Sequence, residues 1–437
     1  MLLAFRASNT RSFRDEFELE LRATRMAEPS VARELQSGDG DRTEHVLPGA
    51  AIYGANASGK TNVLRALADL RSLALNSFRS GVPGSPLPWH PFAFSSDDAH
   101  PASTRFELEL ILDNVRCDYL VVADGSSVRE ERLRRYPLGR AKTVFHREGG
   151  AMSHGSELSR QGRLVEPLLR SNALFLSTAA ASGYEPALPL FMWFERNLIL
   201  AESWNRTARL ARFTQLIDDP GTYEKVRALI QAADLGVTGV ERARIPEELR
   251  ARLRRAVLIL EGRDDEAGDI DIELPEFGFR LVHEHNGVEI SMDPESESFG
   301  TVVWLGLMAS VVEALDSGSV LLADELDASL HPSLVAQVVR LFQSPDTNRL
   351  GAQLIFNTHD TSLLGNSVDD RVLGRDQVWF TEKVGDGSTR LYPLTDSTPR
   401  REESVGRRYL AGMYGGIPIV SPGDFAAAVS DAEPAGA

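Results

Sequence analysis

The chain holds a single cysteine, Cys117, in 437 residues, so no internal disulfide framework can staple it. That scarcity fits a reducing compartment, and a cytoplasmic protein is expected. Lysine is also scarce: nearly all basic residues are arginine. The bias draws notice to the few lysines that are kept, Lys60 first among them. No stretch reaches 18 apolar residues without a charge, which argues against a membrane span. At the N-terminus, Arg6 and Arg11 arrive before any long apolar run, unlike a secretory leader. Internal repeats and heptad runs are missing as well, so solenoids and long coiled-coil arms are not expected. Positive charge is in deficit, with Lys plus Arg at 47 against 63 for Asp plus Glu, a net −16. A chain this acidic is a poor non-specific nucleic-acid binder as a whole, though it has room for a local basic patch.

What remains is ordinary globular composition, 42% hydrophobic and 25% charged. The length suits about three domains, or one large domain with an insertion, at roughly 150 residues each. Leu2–Ala7 and Phe17–Leu21 read as short strands around a polar turn at Thr10–Phe13. Residues 26–48 are polar and read as irregular. Ala50–Tyr53 is a small apolar strand, and leucines at 64, 67 and 70 mark a helix after it. Phe106–Leu112 and Cys117–Val122 form a hairpin about Asp113–Asn114. Residues 149–162 suggest an exposed loop, and helices are expected over Leu188–Leu216, Tyr223–Ala233 and Glu247–Glu261, followed by an acidic turn at 263–271. A second hairpin is expected around Asn286–Gly287. Then come helix Thr301–Leu315, strand Val320–Ala323, helix Pro332–Phe342, strand Ala352–Asn357, and strand-like Gln377–Glu382 and Thr389–Pro393, before a frayed tail.

Three motifs carry chemistry. Gly54-Ala-Asn-Ala-Ser-Gly-Lys-Thr61 fits G-x-x-x-x-G-K-[ST] at every fixed position, with a strand before it and a helix after it. Such a loop turns backbone N–H groups and a helix N-terminus toward phosphate. Lys60 is then placed for the β/γ-phosphates and Thr61 for Mg²⁺. Val320–Ala323 ends in Asp324 and Glu325. Alternation sends the two carboxylates in different directions, suiting Asp324 to the metal and Glu325 to the attacking water. His359 follows the strand ending at Asn357 and is placed to hydrogen-bond the γ-phosphate or the water. Asp327 sits in a loop placed to cross to a partner subunit, and Pro332 suits a helix start.

Their order resembles the ABC-type ATPases of the SMC, Rad50 and OLD lineage, and more closely the AAA-15/AAA-21 group of abortive-infection and phage-defence loci. The likeness rests on Asn9-Thr-Arg-Ser-Phe13, Tyr53 to Asn62, Glu297-Ser-Phe-Gly-Thr301, Leu322 to Pro332, Asn357-Thr-His-Asp360, Arg375 to Phe380 and Tyr409 to Pro418. The resemblance implies an α/β fold: an ABC-type P-loop NTPase head with a mixed-sheet core and an inserted, mostly helical region. Residues 1–135 and 295–420 are the two parts of that head, 136–294 the insertion and 421–437 a disordered tail. It implies ATP and Mg²⁺ as cofactors, with Lys60, Glu325 and His359 catalytic and Thr61 and Asp324 on the metal. Nucleotide contacts fall to Gly54, Asn56, Ala57, Ser58, Gly59, Lys60, Thr61 and Asn62, with Ser298, Gly300 and Asp327 acting across a homodimer or larger homo-oligomer. A separate Toprim-like or RloB-like effector is implied, without a membrane partner. Asn357 replaces the family's usual threonine and is expected to alter only strand-end packing. The competing function is a DNA-binding repair or maintenance ATPase, which the acidic balance disfavours.

Overall fold

The computed structural model describes residues 1–426 except 27–30, 38–41, 81, 95–102, 156–158, 202–209, 211–212, 249, 253–254, 256–276, 366, 368–369, 419–420 and 422. Strands β1 (Leu2–Ser8) and β2 (Phe17–Glu20) pair antiparallel around a tight turn closed by Thr10 and Phe13. The segment expected to be irregular instead forms a hairpin of β3 (Arg33–Ser37) and β4 (Arg42–Val46). Its strands carry almost no apolar residues, so backbone pairing outweighs a composition that reads as loop. Next come β5 (Gly49–Gly54), buried at every residue, and the long helix α1 (Lys60–Ser80).

Strands β6 (Thr104–Leu112) and β7 (Val115–Ala123) are joined as expected by Asp113 and Asn114, both at positive φ of 48° and 60°. Two left-handed residues give the turn whose twist matches the flanking strands. With β8 (Val128–Tyr136), β9 (Lys142–Glu148) and β10 (Ala151–His154) they complete a seven-stranded antiparallel sheet, ordered β10-β9-β8-β7-β6-β1-β2. The loop expected at 149–162 is therefore a tight turn, a short strand and the start of α2 (Ser159–Val165).

Among the described residues, the middle of the chain holds both strands and helices, where a mostly helical region was expected. After α3 (Phe175–Ala181) and α4 (Leu188–Arg196) comes β11 (Leu198–Ala201), where the sequence suggested a continuous helix. An apolar run this short carries no period that separates strand from helix. Helix α5 (Pro220–Ala232) precedes a three-stranded sheet of β12 (Gly239–Arg244), β13 (Phe277–His285) and β14 (Val288–Met292). The charged helix expected over 247–261, the acidic turn and the tail fall largely outside the described residues.

Helix α6 (Phe299–Ser317), β15 (Val320–Ala323), α7 (Pro332–Gln343), β16 (Gln353–Asn357), β17 (Val378–Lys383), β18 (Thr389–Pro393) and α8 (Val405–Leu410) follow. The central sheet runs β11-β15-β16-β5-β17-β18, parallel throughout except for the last pair. Both faces are covered. Ala50, Ile52, Val320, Leu322 and Ile355 join a core shared with α1, α3, α4 and the antiparallel sheet. Ala51, Tyr53, Leu321, Leu354 and Phe356 meet α6 and α7 on the other side. Each such aliphatic side chain contributes about 1.5–3 kcal/mol when fully buried. Helix α6 is long and apolar enough to cross a membrane, yet 67% of that stretch is buried. It packs on the central sheet through Met308 and Val311 and on α5 and β13 through Leu305, Ala309 and Val312, so it is apolar all round for want of a wet face.

Because β5, β15 and β16 run parallel, they deliver Gly54, the Asp324 turn and Asn357 to one edge of the sheet. Ligands of open parallel sheets bind beyond the carboxyl ends of the strands.

Candidate nucleotide-binding site

The loop between β5 and α1 is held from three sides. The Ser58 hydroxyl shares a hydrogen bond with Thr381 at 2.6 Å. The Thr389 hydroxyl lies 2.9 Å from the Ser58 carbonyl and 2.8 Å from the Ser12 hydroxyl. Asn62 donates to Ser12 at 2.8 Å, and Arg11 grips Asp69 of α1 through two bonds of 2.6 and 2.7 Å. The Asn9–Phe13 turn is thus a clamp on the loop. Gly59 sits at φ +106°, and a Cβ there would run into the Thr389 and Ser12 hydroxyls. Asn56 and Ala57 form the exposed crest, with Ala57 at φ 61°.

Lys60 opens α1 and is buried. Its ammonium donates to the Gly54 and Ala55 carbonyls at 3.0 Å each. Desolvation lowers its pKa to about 8, against the pull of Glu325, Asp327 and Asp324. One residue on, the Thr61 hydroxyl donates to Asp324 Oδ1 at 2.8 Å. Asp324 is 6% exposed, whereas Glu325 is exposed and stands at φ 51°. The two acids therefore diverge, as the sequence reading expected, but through the left-handed turn at Glu325 just past the end of β15.

Asn357 corrects the sequence reading. Its side chain is not confined to strand-end packing but lies inside the site. Nδ2 donates to Asp324 Oδ1 at 2.5 Å and to Thr61 Oγ1 at 3.2 Å, while Oδ1 accepts from the Glu325 backbone N–H. His359 is exposed, and its backbone N–H donates to Asp327 at 3.2 Å. Desolvation and the Lys60 charge lower its pKa, favouring the neutral ring, which can both donate and accept.

Ser298 and Gly300 stand elsewhere, at the N-terminus of α6. Among the described residues the exposed Ser298 hydroxyl makes only local bonds: it pairs with the Thr301 hydroxyl and caps α6 by accepting from the Thr301 N–H at 3.1 Å. A Cβ on Gly300 would sit 2.7 Å from the Ser329 carbonyl, so the helix start rests on the loop that follows Glu325. Asp327, in that same loop, bonds within the chain to the His359 segment.

The C-terminal stretch braces the site from beneath, a role the sequence did not disclose. The Tyr409 ring lies 5.6 Å from Tyr53 and 5.3 Å from Phe380, and its hydroxyl donates to the Gly416 carbonyl at 3.2 Å. Gly416 backs directly onto Gly54.

The donors suit a magnesium nucleotide. A hydroxyl and a carboxylate are hard oxygen ligands of the kind Mg²⁺ takes beside phosphate and water. Among the described residues, no group of three or more His, Cys, Asp or Glu forms a metal cage, so a cation on Thr61 and Asp324 depends on oxygens from the nucleotide.

A glycine loop whose lysine and threonine face an acid on a neighbouring strand defines a P-loop nucleotide-binding protein. Residues 50–365 match the AAA_21 family, described as "AAA domain, putative AbiEii toxin, Type IV TA system", and the chain belongs to that family. It is an ATPase of AAA type. Among solved structures it is similar to an SMC head bound to the C-terminal winged-helix domain of ScpA, at 12% identity and a TM-score of 0.44, covering 91% of this chain and 99% of that one. It is also similar to CbiO1 of Clostridium perfringens, part of the CbiONQ ABC transporter complex, at 12% identity and a TM-score of 0.27, covering 94% and 95%. No curated protein matches it.

Proposed function

We propose that this chain is a Mg²⁺-dependent ATP-hydrolysing switch that closes as a homodimer over ATP and controls a separate effector, a nuclease, in anti-phage defence. The observation that carries the catalytic part is the meeting of Thr61 and Asp324 at 2.8 Å, 263 positions apart, with exposed Glu325 beside them. The loop N–H groups and the first turn of α1 take the phosphates. The Lys60 ammonium, now held by two carbonyls, turns to the β/γ-phosphates, where its charge is matched. When bound, Mg²⁺ neutralises developing phosphate charge. Glu325 orients the attacking water and takes its proton. Neutral His359 holds the γ-phosphate side of that water, with Asp327 fixing its backbone. Ser298 and Gly300 of a second subunit close over the nucleotide.

The family's description supports the defence setting. The net charge of −16 favours an effector that handles nucleic acid in this chain's place. A Toprim-like or RloB-like nuclease fits, in the cytoplasm.

Lys60→Ala is expected to lose tight ATP binding. Glu325→Gln keeps bound ATP while hydrolysis falls roughly 10²–10⁴-fold. Equal nucleotide retention by the two would refute this division of roles. In cells that carry this chain together with its effector, both variants should lose phage protection. Protection that survives both would overturn the switch.

A further inference from the structure

Asn357 closes β16, the strand that lies between β15 and β5. It is 0% exposed. A carboxamide buried to that extent needs partners at both ends, and here those partners are the site itself. The Asp324 carboxylate accepts only, and the Glu325 N–H donates only. A single orientation of the amide satisfies both: Nδ2 toward Asp324 and Thr61, Oδ1 toward Glu325. The direction of the group is thus fixed by its neighbours.

The bond to Glu325 has a second effect. Glu325 adopts φ 51°, a left-handed conformation that few residues other than glycine take. The Asn357 oxygen holds the N–H of that turn, and the next amide, Leu326 N–H, donates to the Asn357 backbone carbonyl at 3.1 Å. One residue therefore keeps Asp324 pointing in, on Thr61, and the Glu325 backbone turned so that its side chain stands out in solvent. Simple packing would not require a polar group here: a leucine fills the same space but serves none of the three partners.

Resting on the proposed roles of Asp324 and Glu325, we infer that Asn357 is a positioning residue that locks the Thr61–Asp324 pair and the Glu325 turn into one register. Cation capture and water activation then depend on the same side chain. This inference separates Asn357 from His359, two residues on, whose described bond runs to Asp327.

The test uses purified full-length wild type, N357L and N357T with three readouts. These are the thermal melt of the nucleotide-free protein, affinity for ATPγS in EDTA and in Mg²⁺, and single-turnover ATP hydrolysis. In EDTA, all three proteins should bind ATPγS alike, because the phosphate loop makes no described bond to position 357 other than through Thr61. N357L should lose about 10- to 100-fold of the Mg²⁺-dependent gain in affinity, with hydrolysis falling by a similar factor, the usual effect of losing a group that orients a metal ligand. N357T, whose hydroxyl can still donate to Asp324, should fall between the two. A folded N357L with the wild-type Mg²⁺ gain and turnover would overturn the inference and leave Asn357 a packing residue. If N357L does not melt cooperatively, N357T decides: wild-type values in both Mg²⁺ readouts overturn it, and a graded loss in both supports it. Wild type that neither gains affinity from Mg²⁺ nor hydrolyses ATP would instead refute the proposed function, an outcome visible before any variant is made.

Discussion

Gly59 cannot be replaced cheaply. Its φ of +106° strains any side chain, and the Thr389 and Ser12 hydroxyls occupy the space a Cβ needs. Gly59→Ala should cost about 1–3 kcal/mol of stability and weaken ATP binding, measured by melting and by nucleotide titration. Glu131 makes a different prediction. It is fully buried, accepts from the Phe175 and Leu176 N–H groups and from the Tyr119 hydroxyl, and so caps α3. Burial pushes its pKa above the ordinary 4.5. Between 4.5 and that raised value the folded protein holds a proton that the unfolded chain has released, so this group's contribution to stability falls as pH rises through the interval. The melting advantage of wild type over Glu131→Gln should therefore shrink from pH 4.5 toward neutrality. A gap that widens with pH would reverse the assignment. Glu131 was not visible in the sequence; Gly59 was, as a fixed glycine of the phosphate loop. Lys60, Thr61, Asp324 and Glu325 were, because a loop of fixed length and a strand ending in paired acids constrain residue types at fixed offsets. Asn357 was misread because a polar residue at a strand end has no spacing of its own; its meaning lies in neighbours 33 and 296 positions away.

Elements were legible where period and punctuation agreed. Leucines at helical spacing gave α1, the Asp113–Asn114 turn gave the β6–β7 hairpin, and the buried runs gave β15 and β16. They were illegible where tertiary pairing decides. The polar β3–β4 hairpin and the four-residue β11 have no local signature, yet β11 pairs along the whole of β15. The C-terminal brace was also hidden, since its ring contacts are with the distant Tyr53 and Phe380. Tyr409→Ala should cost about 3–5 kcal/mol, as large aromatic truncations do, and should weaken ATP binding because Gly416 loses its seat against Gly54. Tyr409→Phe loses the hydroxyl's bonds to the Gly416 carbonyl and to the Gly54 backbone, each worth about 1 kcal/mol. Equal melting temperatures for wild type and Tyr409→Ala would show that the brace is idle.

At the scale of the molecule, Ser298 stands at an exposed helix start, bonded locally to Thr301, while Lys60, Thr61 and Asp324 occupy another place. If a second subunit supplies Ser298, mixing Lys60→Ala with Ser298→Arg protein should restore partial ATPase activity, since the mixed dimer keeps one intact composite site. Cysteines at Asn56, on the exposed crest of the loop, and at exposed Phe299 in the Glu325→Gln background should crosslink between subunits only with ATP. No crosslink would reject the shared site.

The central sheet also dictates when the protein can begin to work. β5 lies between β16 and β17, and the Thr381 hydroxyl that reaches the Tyr53 carbonyl arrives 328 residues later. On a ribosome, the glycine loop therefore emerges long before the strands that flank it. Contacts so distant in sequence form slowly, and ATP cannot serve as a template for the early part of the chain. A half-made copy carries the glycine loop without Asp324, Asn357 and Thr381, and so has no complete nucleotide cradle.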